Sequence, residues 1–183
     1  RWLMNLRWLG LAVTAMVIPL AYFQWHLIHT YLPFYGIVLL LTCENILSQL
    51  SLKWIERRDL TQMELWIRRL IHFQIAADLT LLTALLHFSG GVENPLIVCF
   101  VFHMIIASIL LPVRESYFQA AFAACLVMML GIFEYQGIWA HYCLDGMLTH
   151  CFHADRYYVL STVGVLAGTN LLVVYMTSDI SHK

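Results

Sequence analysis

The chain has 183 residues, of which 61% are hydrophobic and 11% are charged, against about 25% charged in an ordinary soluble domain. A mean hydropathy of +0.75 excludes a disordered chain and argues against a soluble globular domain. The formal net charge of −1 excludes a broadly basic nucleic-acid binder, so no nucleic-acid partner is expected.

Six apolar stretches follow in chain order, at residues 6–24, 33–52, 70–88, 95–111, 117–135 and 157–176. Each is long enough for a spanning helix, and none alternates with the two-residue period of a barrel strand. The expected fold class is all-α: a polytopic membrane protein with six transmembrane helices, forming one domain over residues 1–183. The first stretch is too long for the apolar region of a cleaved signal peptide, and no A-x-A-type site follows it. Arg1, Arg7, Lys53, Arg57, Arg58, Arg68, Arg69, Arg114 and Lys183 fall on one side of the bilayer, and only Arg156 on the other. Cytoplasmic loops carry the excess of Lys and Arg, which predicts that both termini are cytoplasmic. The chain stops at Ser181-His182-Lys183, just past the sixth stretch. A cytoplasmic output region is expected beyond residue 183.

The turn between the third and fourth stretches reads His87-Phe88-Ser89-Gly90-Gly91-Val92-Glu93-Asn94-Pro95-Leu96. Helix chemistry explains half of it. A glycine in the left-handed conformation ends one helix, and Asn94 and Pro95 are a good N-cap and first helical residue for the next. The alternative is functional: the paired glycines expose backbone N–H groups to the carbonyl oxygen of a flat ligand, with Glu93 as titratable group and His87 as a neighbouring donor.

Gly90 to Leu96 resembles the G-G-x-x-N-P-F heptapeptide of RegB/PrrB-type redox-responsive sensor histidine kinases, matching at Gly90, Gly91, Asn94 and Pro95 and departing at Leu96, where the family has Phe. A wider likeness to sensor-kinase membrane domains runs from His87 to Tyr135, through Phe102–Ser108 and Arg114–Tyr117. The resemblance implies six membrane helices ahead of a cytoplasmic kinase, in the bacterial inner membrane. It also implies a quinone, ubiquinone or menaquinone, held by His87, Gly90, Gly91, Glu93, Asn94 and Pro95. The implied partners are membrane lipid, a second copy of the chain in a homodimer, the kinase region and a response regulator. The chain alone is expected to catalyse nothing, because it has no phosphoacceptor or nucleotide-binding region. The family's redox-active cysteine lies in the kinase portion and has no counterpart here.

Ionisable residues inside spans are costly and face the bundle interior. Glu44, Asp78 and His103 fall at similar depth, with Gln74 one turn from Asp78. They suit either a polar cluster that relays protons or interhelical bonding that only holds the bundle. The last outer loop gathers His141, Cys143, His150, Cys151 and His153. These residues suit zinc or copper, although their spacing matches no standard structural zinc pattern. On an oxidising side, a Cys143–Cys151 disulfide is the competing reading. Heme b is a further alternative cofactor, with His72, His87 and His103 as candidate axial ligands. Asp155 is placed to cap the sixth helix, and Gly164-x-x-x-Gly168 suits close contact with another helix or a second subunit. The expected function is a redox-sensing membrane domain of a histidine kinase. The alternatives are a heme- or metal-binding sensor or electron-transfer subunit and, behind them, a small transporter lined by Glu44, Asp78 and His103.

Overall fold

The computed structural model describes residues 2–28, 30–57, 60–144 and 151–181; these form six helical passes and no strand. The fold is therefore all-α. Helix α1 spans Trp2–Pro19 and continues as a π-turn over Leu20–Gln24, where Pro19 has withdrawn one backbone donor. Helix α2 runs Leu32–Ile55, with Pro33 in its first turn. Helix α3, Leu60–Phe88, begins ten residues before the apolar stretch that predicts it. Its first turns carry the pair Glu64–Arg68 at i,i+4, so they are helical without being hydrophobic.

The α3–α4 connection is built as its cap chemistry predicts. Gly90 (φ 105°) and Gly91 (φ 56°) both adopt positive φ, and a short 3-10 turn covers Gly91–Glu93. Asn94 then caps a second 3-10 turn, Pro95–Val98. Its Oδ1 accepts from the Leu96 N–H at 2.8 Å, and its Nδ2 donates to the Ser89 carbonyl at 2.6 Å and to Ser89 Oγ at 2.7 Å. Helix α4 follows as Cys99–Leu110, helix α5 as Val113–Tyr135 and helix α6 as Arg156–Ser181. Asp155 caps α6, its Oδ1 accepting from the N–H groups of Tyr157 (2.8 Å) and Tyr158 (3.3 Å).

Five of the passes are long and apolar enough to cross a membrane, and the fourth, Pro95–Leu110, is shorter. Helices α3 to α6 share the main core, with Leu79, Leu86, Phe100, Met104, Ala120 and Leu130 fully buried. Gly131 lets α6 approach α5: a Cβ there would lie 3.1 Å from Val159 and 3.2 Å from Val163. Gly164 and Gly168 have open space beside them, so the close α5–α6 approach uses Gly131 and not the Gly164-x-x-x-Gly168 stripe. Helices α1 and α2 pack on the flank and leave Leu9, Met16, Leu39 and Leu47 exposed, as a lipid-facing surface requires. At one end of the bundle, hereafter proximal, Trp54 of α2 meets Trp66 of α3 at 6.0 Å between ring centroids. At the other, distal end, Phe34 of α2 meets Phe88 of α3 at 6.4 Å, and the Gly90–Asn94 turn sits among the ends of α3, α5 and α6.

Candidate functional site: a buried His–Glu centre at the distal end

The distal turn does not present its glycine backbone to a ligand. Gly91, Val92, Glu93 and Asn94 are all buried. A Cβ on Gly91 would collide with Glu134 Oε2, and one on Gly90 would lie 2.8 Å from Leu144. The glycines are needed because the α5 carboxylate and the following loop press directly on the turn. Asn94 spends its side chain on the cap described above.

What the turn does is place Glu93 inside a cluster with Glu134, the residue whose role sequence reasoning missed. Glu134, the penultimate residue of α5, has a fully buried side chain. Its Oε1 lies 2.8 Å from His87 Nδ1, and its Oε2 lies 2.7 Å from His141 Nδ1. The Glu93 side chain is also fully buried, but neither of its oxygens has a hydrogen-bond partner among the described residues. The atoms that face it are His141 Nε2 at 3.7 Å and His153 Nδ1 at 4.0 Å. The two imidazoles stack, with centroids 4.0 Å apart and 19° between planes. Burial pushes the His153 imidazole below its ordinary value and His141 adds to that, while Glu93 and Glu134 pull the other way. Trp139 and Tyr142 close over His87 at 5.2 and 5.6 Å.

Cys143 and Cys151 are joined in a disulfide. This removes both thiolates from the expected five-residue metal set, because each sulfur is bonded to the other. His141 and His153 remain, each two residues from a bridged cysteine. His150 lies outside the described residues.

Two further polar groups sit deeper in the bundle. Glu44 and Asp78 are brought together, but through Arg7. Arg7 Nη2 pairs with Glu44 and lies 2.8 Å from Asp78 Oδ1, and the side chains are 11%, 9% and 17% exposed. Arg7 thus belongs to the interior and not to the interfacial charges, and it supplies the cation that two intramembrane carboxylates need. His103 Nδ1 donates to the Cys99 carbonyl, 2.7 Å away, and among the described residues His103 hydrogen-bonds neither carboxylate. It shares with Arg7, Asn45, Gln74 and Asp78 the lining of a cavity of about 320 Å³. Towards the proximal end, His72 Nε2 lies 2.8 Å from Glu115 Oε2, and Gln119 Nε2 donates to His72 Nδ1 at 2.9 Å. The three candidate heme ligands therefore occupy three separate settings: His72 on Glu115, His87 on Glu134, and His103 beside the Arg7 cavity.

An all-α bundle of six passes, five of them long and apolar enough to cross a membrane, defines a multi-pass membrane domain. Residues 2–178 match the PilS-like transmembrane domain family, and the chain belongs to it. It is accordingly a membrane sensor domain of the histidine-kinase type. No curated protein and no solved structure matches the chain.

Proposed function

We propose that this domain is the input half of a two-component histidine kinase in the bacterial inner membrane, and that it receives its stimulus at the distal Glu93–Glu134–His87–His141–His153 centre. The observation that carries this reading is Glu93, a fully buried carboxylate with no hydrogen-bond partner among the described residues and with two imidazole nitrogens near it. A buried ionised group without compensation is destabilising by several kcal/mol, on the order of the cost of breaking a buried ion pair, so a ligand that compensates it gains that difference. With both termini cytoplasmic, the centre faces the outside. A ligand shifts a two-state equilibrium only by its differential affinity for the two packings. Here the packing that differs is that of α5, which carries Glu134 in its last turn, against α6, which leads to the cytoplasmic side. Signalling would run through a homodimeric kinase region to a response regulator.

The test uses full-length kinase in proteoliposomes. Glu134→Gln weakens the hold on His87 and His141 and should shift basal autophosphorylation by about 5-fold or more, a typical coupling magnitude. Gly137→Ala, just past the end of α5 with open space around it, should leave output unchanged. Wild-type output from a folded Glu134→Gln protein would defeat the reading.

A second reading, redox sensing through a quinone, is supported by the heptapeptide likeness and by one feature. A groove of about 260 Å³ opens beside Ser89, Asn94, Pro95 and Leu96 and is lined by Val17, Ala21, Trp25 and Phe34. Its apolar walls suit a flat ring. Because Asn94 is a structural cap, filling the groove is the cleaner probe. Ala21→Phe should reduce photolabelling by an azidoquinone at least about 10-fold, equivalent to about 1.4 kcal/mol. Undiminished labelling would remove this reading.

A further inference from the structure

The distal centre brings two imidazole nitrogens within 4.0 Å of one carboxylate oxygen. Glu134 lies 2.7 Å from His141 Nδ1, so that nitrogen donates to the carboxylate and, in the neutral ring, Nε2 carries the lone pair. That lone pair faces Glu93 Oε1 at 3.7 Å, and His153 Nδ1 faces the same oxygen at 4.0 Å. Neither separation is a hydrogen bond. Glu93 Oε1 and Oε2, His141 Nε2 and His153 Nδ1 are all buried atoms with no hydrogen-bond partner among the described residues, and the Glu93 and His141 side chains are 0% and 3% exposed.

We infer that Glu93, His141 and His153 form a binding site for a divalent transition-metal ion of the zinc class. Two donor atoms each about 2.1 Å from one ion stand at most about 4.2 Å apart. Both observed separations fall under that ceiling. Two imidazoles with one carboxylate select zinc, copper or nickel over calcium and magnesium, which take oxygen donors. A cation neutralises Glu93 and engages both ring nitrogens. Glu134 supplies the outer support such a site needs: a carboxylate on the far nitrogen of a metal-binding histidine fixes its tautomer and orientation. His87 in turn holds the second oxygen of Glu134 at 2.8 Å. The Cys143–Cys151 disulfide ties the segment bearing His141 to the one bearing His153, so the ligands are brought together before any ion arrives. This set uses Glu93 where the sequence pointed to cysteines. It deepens the proposed reading of the distal centre and depends on that reading only for its signalling consequence.

The experiment is Zn²⁺ binding by the purified chain in lipid nanodiscs, under non-reducing conditions, in competition with a chromophoric chelator of micromolar affinity. One equivalent of Zn²⁺ should be retained. Glu93→Gln and His153→Ala should each weaken binding at least about 10-fold, and His26→Ala, an exposed residue, should not. Zinc-edge absorption on the unmodified protein settles the ligands without a variant. Nitrogen and oxygen neighbours alone, at about 2.0–2.2 Å, are expected; a sulfur shell at about 2.3 Å would overturn the assignment to Glu93. Failure to retain an equivalent of Zn²⁺ would overturn the site altogether. If that failure accompanies an altered output from Glu134→Gln, the metal falls and the distal centre stands.

Discussion

Replacing Gly91 by alanine should dismantle the distal centre and cost the domain more than any other single methyl group. Gly91 sits at φ 56°, where an L side chain costs about 1–2 kcal/mol. The larger effect is steric. The new Cβ would occupy the place of Glu134 Oε2, which is held by His141. Either the turn or the carboxylate must move, and moving the carboxylate separates it from its imidazoles. Disrupting a buried charged pair of this kind typically costs about 3–5 kcal/mol. Gly137 provides the control: it also has positive φ (70°), but a Cβ there meets nothing within 4 Å. Gly137→Ala should therefore cost only about 1 kcal/mol. Thermal unfolding in detergent micelles, followed by circular dichroism, separates the two. Equal losses would mean that backbone strain alone governs the turn and that Glu134 does not press on it.

The second large effect is expected at Arg7. Arg7→Met keeps the length and apolar body of the side chain but removes the cation between Glu44 and Asp78. Two carboxylates are then left facing each other in the bundle interior, and the expected destabilisation is about 3–5 kcal/mol. Neutralising both in the same protein, with Glu44→Gln and Asp78→Asn, should recover most of the loss, because hydrogen-bonding amides carry no uncompensated charge. A loss from Arg7→Met of less than about 0.5 kcal/mol, the range of an ordinary surface change, would place Arg7 in water and not in the ion triad. A triple variant no more stable than Arg7→Met would show that the loss comes from packing and not from charge.

Much of the architecture is legible in the sequence because the bilayer imposes it. Apolar runs of spanning length leave little choice but helices, and the Gly90, Asn94, Pro95 and Asp155 caps mark helix ends by local chemistry alone. What was hidden depends on which helix faces meet. Glu134 is the penultimate residue of α5 and reads, in one dimension, as an interfacial charge. Only the approach of α3 and α5 puts it against His87. Arg7 likewise reads as part of the positive cluster near the first span, whereas the packing of α1 on α2 and α3 turns it inward. Glu44 and Asp78 stand out in the sequence because charge inside a span is costly, but the third member of their cluster is a cation on α1 and not His103. The paired glycines stand out in the sequence, where both helix capping and exposed backbone account for them; the packing adds a third reason. They clear space for a carboxylate and a leucine of the same chain, and do not lay bare backbone for a ligand. The Gly164-x-x-x-Gly168 stripe shows the converse: a motif for close approach with no partner pressed against it inside this chain, while the unremarked Gly131 carries the α5–α6 contact.

The central claim is that the distal centre and the α5–α6 pair move as one two-state unit. Hydrogen–deuterium exchange of the domain in nanodiscs, comparing the unmodified chain with Glu134→Gln, tests it most directly. The account predicts altered protection that begins at the Gly90–Asn94 turn and extends along α5 and α6 past the middle of the bundle, towards the proximal end. Altered protection confined to the distal turn and loop, with α5 and α6 unchanged beyond their distal ends, would contradict it.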